Sequence, residues 1–134
     1  METREILGVL HELLQVVDRS KESFRMAARM SEHSTIKMLF MHYHEQHEKY
    51  ERELLGFVEA LGGSEKLDEG SEDFSDADEQ AIISQCEKVE HVTLNMYRRV
   101  IEMPLPTELR HAVEIQGLDV KGTRDKLKAL STAG

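Results

Sequence analysis

A chain of 134 residues, 40% hydrophobic and 32% charged, has the size of one domain built around one core. Its 26 Asp and Glu against 17 Lys and Arg give a net charge of -9, a surface that repels nucleic acid and anionic membranes, and no apolar run approaches the ~18 residues of a membrane span. The lone Cys86 makes no internal disulfide, the absence of Trp argues against a large aromatic ligand pocket, and METREILGVL lacks the layout of a signal peptide, so a cytoplasmic location is expected.

The two prolines, Pro104 and Pro106, lie late in the chain, and everything before them is free of the strongest helix breaker. A first helix is predicted from about Arg4 to Met30 with a seam of Leu7, Leu10, Leu14, Val17, Lys21, Phe24 and Ala28. A polar turn from Ser31 to Ser34 follows, with Ser34 or Thr35 available as the cap of a second helix. That helix has the strongest pattern in the chain. Ile36, Phe40, Tyr43, His47, Tyr50, Leu54, Phe57 and Leu61 recur in alternating steps of four and three, and Gly62-Gly63 ends the run.

Ser64 to Ser75 is acidic and aperiodic and is predicted to be a loop. Extended, it reaches about 40 Å, which permits either a hairpin or a lengthwise crossover. Asp76 with Glu79 has the form of a capping pair, opening a third helix to about Met103. Its seam is Ile83, Cys86, Glu90, Thr93, Tyr97 and Val100. MPLPT stops it, Thr107 is predicted to cap a fourth helix, and the last seam reads Leu109, Val113, Gln116, Val120, Thr123, Leu127 and Leu130. Short connections make neighbours antiparallel, so the fold class is all-α, a single four-helix bundle domain.

Each seam turns polar near its midpoint: Lys21, His47, Glu90, and Gln116 with Thr123. Bundles that do chemistry place it at that level, most simply as two metal ions held by glutamates and by Glu-x-x-His pairs. The one literal Glu-x-x-His here, Glu108 to His111, falls in the first turn of the fourth helix, far from the middle. His44 with His47 or Glu48 has favourable helical spacing, but a pair makes a poor metal site. No phosphate loop, nucleophile elbow, Cys-x-x-Cys or basic stripe occurs.

The stretches KVEH and NMY (Lys88 to His91, Asn95 to Tyr97), the ending FVEALGG, the LPTELR junction and the closing RDKLKAL resemble a small bacterial branch of the ferritin-like superfamily. That branch is catalogued as a domain of unknown function and is similar to the stress-induced YciE and YciF type proteins. The resemblance implies a crossover between the second and third helices, self-association into a dimer or larger homo-oligomer, and an ancestral di-metal site. Against the metal-binding members, Lys21 and Val120 stand where carboxylates belong, leaving Glu90 as the clearest seam carboxylate.

A central polar cluster of Lys21, His47, Glu90, Gln116 and Thr123 is therefore expected, with the Lys21 ammonium facing Glu90 in place of a cation and no cofactor. This describes a non-catalytic bundle with structural, stress-related or partner-binding work and a degenerate di-metal site. The alternative is a di-iron or di-manganese oxidase or iron-handling protein using Glu22, His47, Glu48, Glu90 and Asp119, which requires a one-residue shift of register. A histidine phosphotransfer module is the third class, weakened by the acidic surface.

Overall fold

Apolar residues at alternating steps of four and three bury one side of a helix, and the computed structural model, which describes residues 1–64 and 78–133, is assembled from four such helices. They are α1 (Thr3–Met30), α2 (Ser34–Ala60), α3 (Glu79–Ile101) and α4 (Thr107–Ala133), with no strand among the described residues. The α1 seam lies one register away from the expected one. Ile6, Leu10, Leu13, Val17, Ser20, Phe24, Ala27 and Ser31 are all buried, whereas Leu7 and Lys21 are half-buried at its edge. Leu14 and Ala28 are buried as well, because α1 packs against two neighbours, α2 and α3, and so buries a wide face.

The helix ends are satisfied in different ways. At the start of α2 the cap position is His33, not Ser34 or Thr35, and no side chain of its own caps it. Instead the Glu79 carboxylate reaches across from α3 and accepts from the Ser31 hydroxyl at 3.0 Å and the His33 amide at 3.2 Å. At its other end Gly62 takes φ +81°, and the amides of Gly62 and Gly63 donate back to the carbonyls of Glu59 and Val58. This is the glycine-terminated closure that orphan carbonyls require. Helix α3 begins at Asp78, whose carboxylate accepts from the Ala81 amide at 2.8 Å; the expected cap Asp76 and the predicted loop beyond Ser64 lie outside the described residues. Thr107 is the first residue of α4 and not its cap: the Pro106 carbonyl already accepts from the Arg110 amide. The Arg110 guanidinium turns back to the Ile101 and Met103 carbonyls and closes the end of α3.

Direction follows from cross-helix partners. Ser31 meets Glu79 and Ser20 meets Glu90, so α1 and α3 are antiparallel. Arg124 with Glu87 and Gln116 with Tyr97 make α3 and α4 antiparallel. Gln46 with Thr123 and Glu53 with Gln116 do the same for α2 and α4. Hence α2 and α3 run parallel on a diagonal, and Ser64 and Asp78 lie at opposite ends of the bundle. Of the two connections that reach alone permits, the structure uses the lengthwise crossover.

The core is split into two apolar halves. One holds Leu10, Leu14, Tyr50, Leu54, Tyr97, Leu109 and their neighbours; the other holds Phe24, Phe40, Tyr43, Ile82, Ile83, Cys86 and Leu127. Between them lies a polar level.

Candidate functional site

At that level the α3 seam delivers Glu90 and the α2 seam delivers His47, both wholly inaccessible to solvent. An isolated buried carboxylate is prohibitively costly, so its partners define the site. His47 Nε2 lies 3.0 Å and 2.8 Å from the two Glu90 oxygens. The Ser20 hydroxyl donates to Oε1 at 2.9 Å. The Thr93 hydroxyl lies 2.7 Å from Ser20 Oγ and within 3.1 Å and 3.3 Å of the Val16 and Val89 carbonyls, so the two hydroxyls join Glu90 to the backbones of α1 and α3. On the far side of the imidazole, Nδ1 donates to the Tyr43 carbonyl at 2.8 Å.

This geometry counts the protons. A carbonyl oxygen only accepts, so Nδ1 carries a hydrogen, and a single further proton is shared between Nε2 and the carboxylate. The imidazole is also clamped by rings, with Phe24 edge-on at a centroid distance of 5.0 Å and Tyr50 tilted at 5.1 Å.

Lys21 is not part of this cluster. Its ammonium sits 3.1 Å from Asp18 Oδ1, 3.1 Å from Glu51 Oε2 and 3.9 Å from Glu22 Oε1, on the α1–α2 side of the bundle. The expected Lys21–Glu90 pair is therefore replaced by two separate networks, because residue 20 and not residue 21 occupies the inward α1 position. Burial disfavours the Lys21 ammonium, but the hydrogen bonds and charges of Glu51 and Asp18 outweigh it and raise its pKa above that of a free amine. Burial likewise raises the Glu51 carboxyl, the effect being partly offset by Lys21.

Gln116 and Thr123 form a third group on the α2–α4 side. The Tyr97 hydroxyl donates to Gln116 Oε1 at 2.6 Å, Gln116 Nε2 donates to Glu53 at 3.0 Å, and the Thr123 hydroxyl donates to Gln46 at 3.2 Å. Glu87 is half-buried and bound to Arg124.

The donors of the metal alternative are scattered. Glu22 is engaged by Arg25 at 2.8 Å, Glu48 lies on the surface beside His44 and Arg52, and Asp119 is exposed beside Tyr50; only His47 and Glu90 meet. No group of three or more His, Cys, Asp or Glu residues that could hold a metal ion is present among the described residues. This donor set does not fit a di-metal centre. The grooves of about 300 Å³ between α1 and α2 and about 320 Å³ between α3 and α4 are lined by neither His47 nor Glu90.

Ser20, Asp18 and Glu51 were not singled out by sequence reasoning. A signal for Ser20 exists, since it continues the spacing Leu10, Leu13, Val17, Phe24, Ala27 without a break.

Helix order, directions and the split core define an all-α four-helix bundle with one lengthwise crossover. No protein-family model matches the chain, and no curated protein matches its sequence. The structure is similar to the crystal structure of a conserved hypothetical protein, rv2844, from Mycobacterium tuberculosis, with a TM-score of 0.86, 12% identity, and coverage of 99% of this chain and 95% of that one. At that identity the likeness concerns the fold alone.

Proposed function

We propose that this protein is a non-catalytic ferritin-like bundle, cytoplasmic and self-associating, in which hydrogen bonding between the chain's own side chains takes the place of a di-metal centre. The carrying observation is the Glu90 carboxylate, whose oxygens are already engaged by His47 and Ser20 inside a closed core. The up-down-down-up order of the helices supports the ferritin-like part of the reading, since one long crossover is the mark of that connectivity. With both residues wholly buried, the work falls to the surface: structural, stress-related or partner-binding. No helix among the described residues is long and apolar enough to cross a membrane, which agrees with this assignment.

Metal analysis tests it. Protein expressed with iron and manganese supplied is expected to carry far less than one equivalent of either. A content of about two per chain, abolished by Glu90→Ala, would instead establish a di-iron or di-manganese carboxylate protein.

A further inference from the structure

Helix α4 exposes two large apolar residues, Ile115 and Leu118, on a face that the bundle does not use. Its inward seam is Leu109, Val113, Gln116, Val120, Thr123 and Leu127, all buried. On the opposite side His111, Ile115, Leu118 and Gly122 repeat in the same steps of four, three and four. Ile115 is 49% and Leu118 71% exposed. A heptad seam facing water is the pattern by which one helix recognises another.

The two glycines of α4 differ in a telling way. A Cβ at Gly117 would meet Ile101 Cδ1 at 3.3 Å and Tyr97 at 3.5 Å, so the packing of α3 on α4 accounts for it. At Gly122 a Cβ would meet nothing within 4 Å. Gly8 in α1 and Gly56 in α2 are equally open, so the space at Gly122 permits a close approach from outside without demanding one.

We infer that the outer face of α4 is the surface through which two copies of this chain associate, antiparallel and about a two-fold axis. The inference rests on the self-association proposed above and names its site. In that arrangement Ile115 of one copy packs on Leu118 of the other, twice, and His111 covers the gap left by Gly122. The flanking charges decide the orientation. Glu114 and Lys121 are one heptad apart on the same flank of the seam, and antiparallel pairing sets Glu114 of each copy against Lys121 of the other. Parallel pairing would bring neither pair together. Although the chain as a whole is strongly acidic, α4 has five Lys and Arg against four Asp and Glu, so its apposition adds little repulsion. Beside the seam, the α3–α4 groove with Ile101 and Leu94 in its lining and Arg98 and Lys121 among its charges extends the contact.

Sedimentation equilibrium of the full chain across the micromolar range tests this. Wild type is expected to be dimeric. Leu118→Glu should raise the dimer dissociation constant at least roughly a hundredfold, and Glu114→Lys about tenfold by setting lysines against lysines. The double variant Glu114→Lys with Lys121→Glu exchanges the two signs and should restore the dimer. All three positions are exposed in the protomer, so circular dichroism should show unchanged helix content. A wild type that stays monomeric overturns self-association itself. A dimer indifferent to Leu118→Glu, or one that Met41→Glu in the α1–α2 groove disrupts instead, leaves self-association standing and overturns this surface. Loss in the double variant equal to that in Glu114→Lys overturns the antiparallel pairing.

Discussion

Glu90→Met is expected to lower the unfolding free energy by about 3–5 kcal/mol, whereas Glu90→Gln, one oxygen replaced by nitrogen, should cost about 1 kcal/mol. Methionine fills the volume but strands His47 Nε2 and the Ser20 hydroxyl in the core. Glutamine does not. Its oxygen accepts from Ser20, and its amide donates to Nε2 of an imidazole whose proton stays on Nδ1 against the Tyr43 carbonyl. The same logic predicts strong coupling: His47→Phe with Glu90→Met should cost less than the sum of the two single changes by roughly 1–3 kcal/mol. Lys21→Met with Glu90→Gln should add to within about 0.5 kcal/mol, because the two residues belong to different networks. Urea denaturation of the wild type and the six variants measures all of this. Equal losses for the methionine and glutamine variants would mean that the pair survives only as separated charges, contrary to the sharing described above.

The second large effect lies at alkaline pH. All three tyrosines, Tyr43, Tyr50 and Tyr97, are buried, and each has its phenol pKa raised above 10.0 by burial first and by neighbouring carboxylates second. For Tyr43 the added charge is Glu90, for Tyr50 it is chiefly Asp119, and for Tyr97 Glu90 leads. The raised Lys21 ammonium acts in the same sense. Above the unfolded-state value the native protein holds protons that the unfolded chain has lost, so stability falls as pH rises. Each tyrosine contributes a slope of at most about 1.4 kcal/mol per pH unit. The contribution of these three phenols and of Lys21 should therefore be level from neutrality to about pH 10 and then drop steeply. Because the chain has no tryptophan, tyrosinate absorbance is readable directly, and it should appear only together with loss of helix. Tyrosinate forming ahead of unfolding would show at least one phenol to be accessible.

The α2, α3 and α4 seams could be read from the sequence almost position by position because in each one set of residues in steps of three and four runs the length of the helix. Every named member of the α3 seam is buried. For α1 two sets satisfy the same rule and share Leu10, Val17 and Phe24. Residue size favoured the wrong one where it mattered, since Lys21 is larger than Ser20, while Leu13 and Leu14 are equal in size and both buried. What decides is that α1 packs against both α2 and α3, and within that wide face Ser20 turns to Glu90 and Thr93. The polar level was thus foreseen and its α1 member mistaken by one residue. That single step converts an ammonium into a hydroxyl and moves the lysine to Asp18 and Glu51. His47 as a hydrogen-bonded core histidine was legible because the seam places it between Tyr43 and Tyr50, where a buried polar group needs a partner. The direction of α3 was not legible, since the reach of the connection allowed both.

The parallel diagonal of α2 and α3 sets a minimum on the number of residues between them. From Ser64 to Asp78 an extended backbone spans at most about 50 Å, against about 40 Å for the length of α2 that it must pass. A connector four residues shorter could join the two helices only as a hairpin. That would turn α3 end over end, setting Tyr97 against Phe40 and the Ile82 end against Leu54. Arithmetic of chain length, as much as the seams themselves, chooses which partners His47 finds around Glu90.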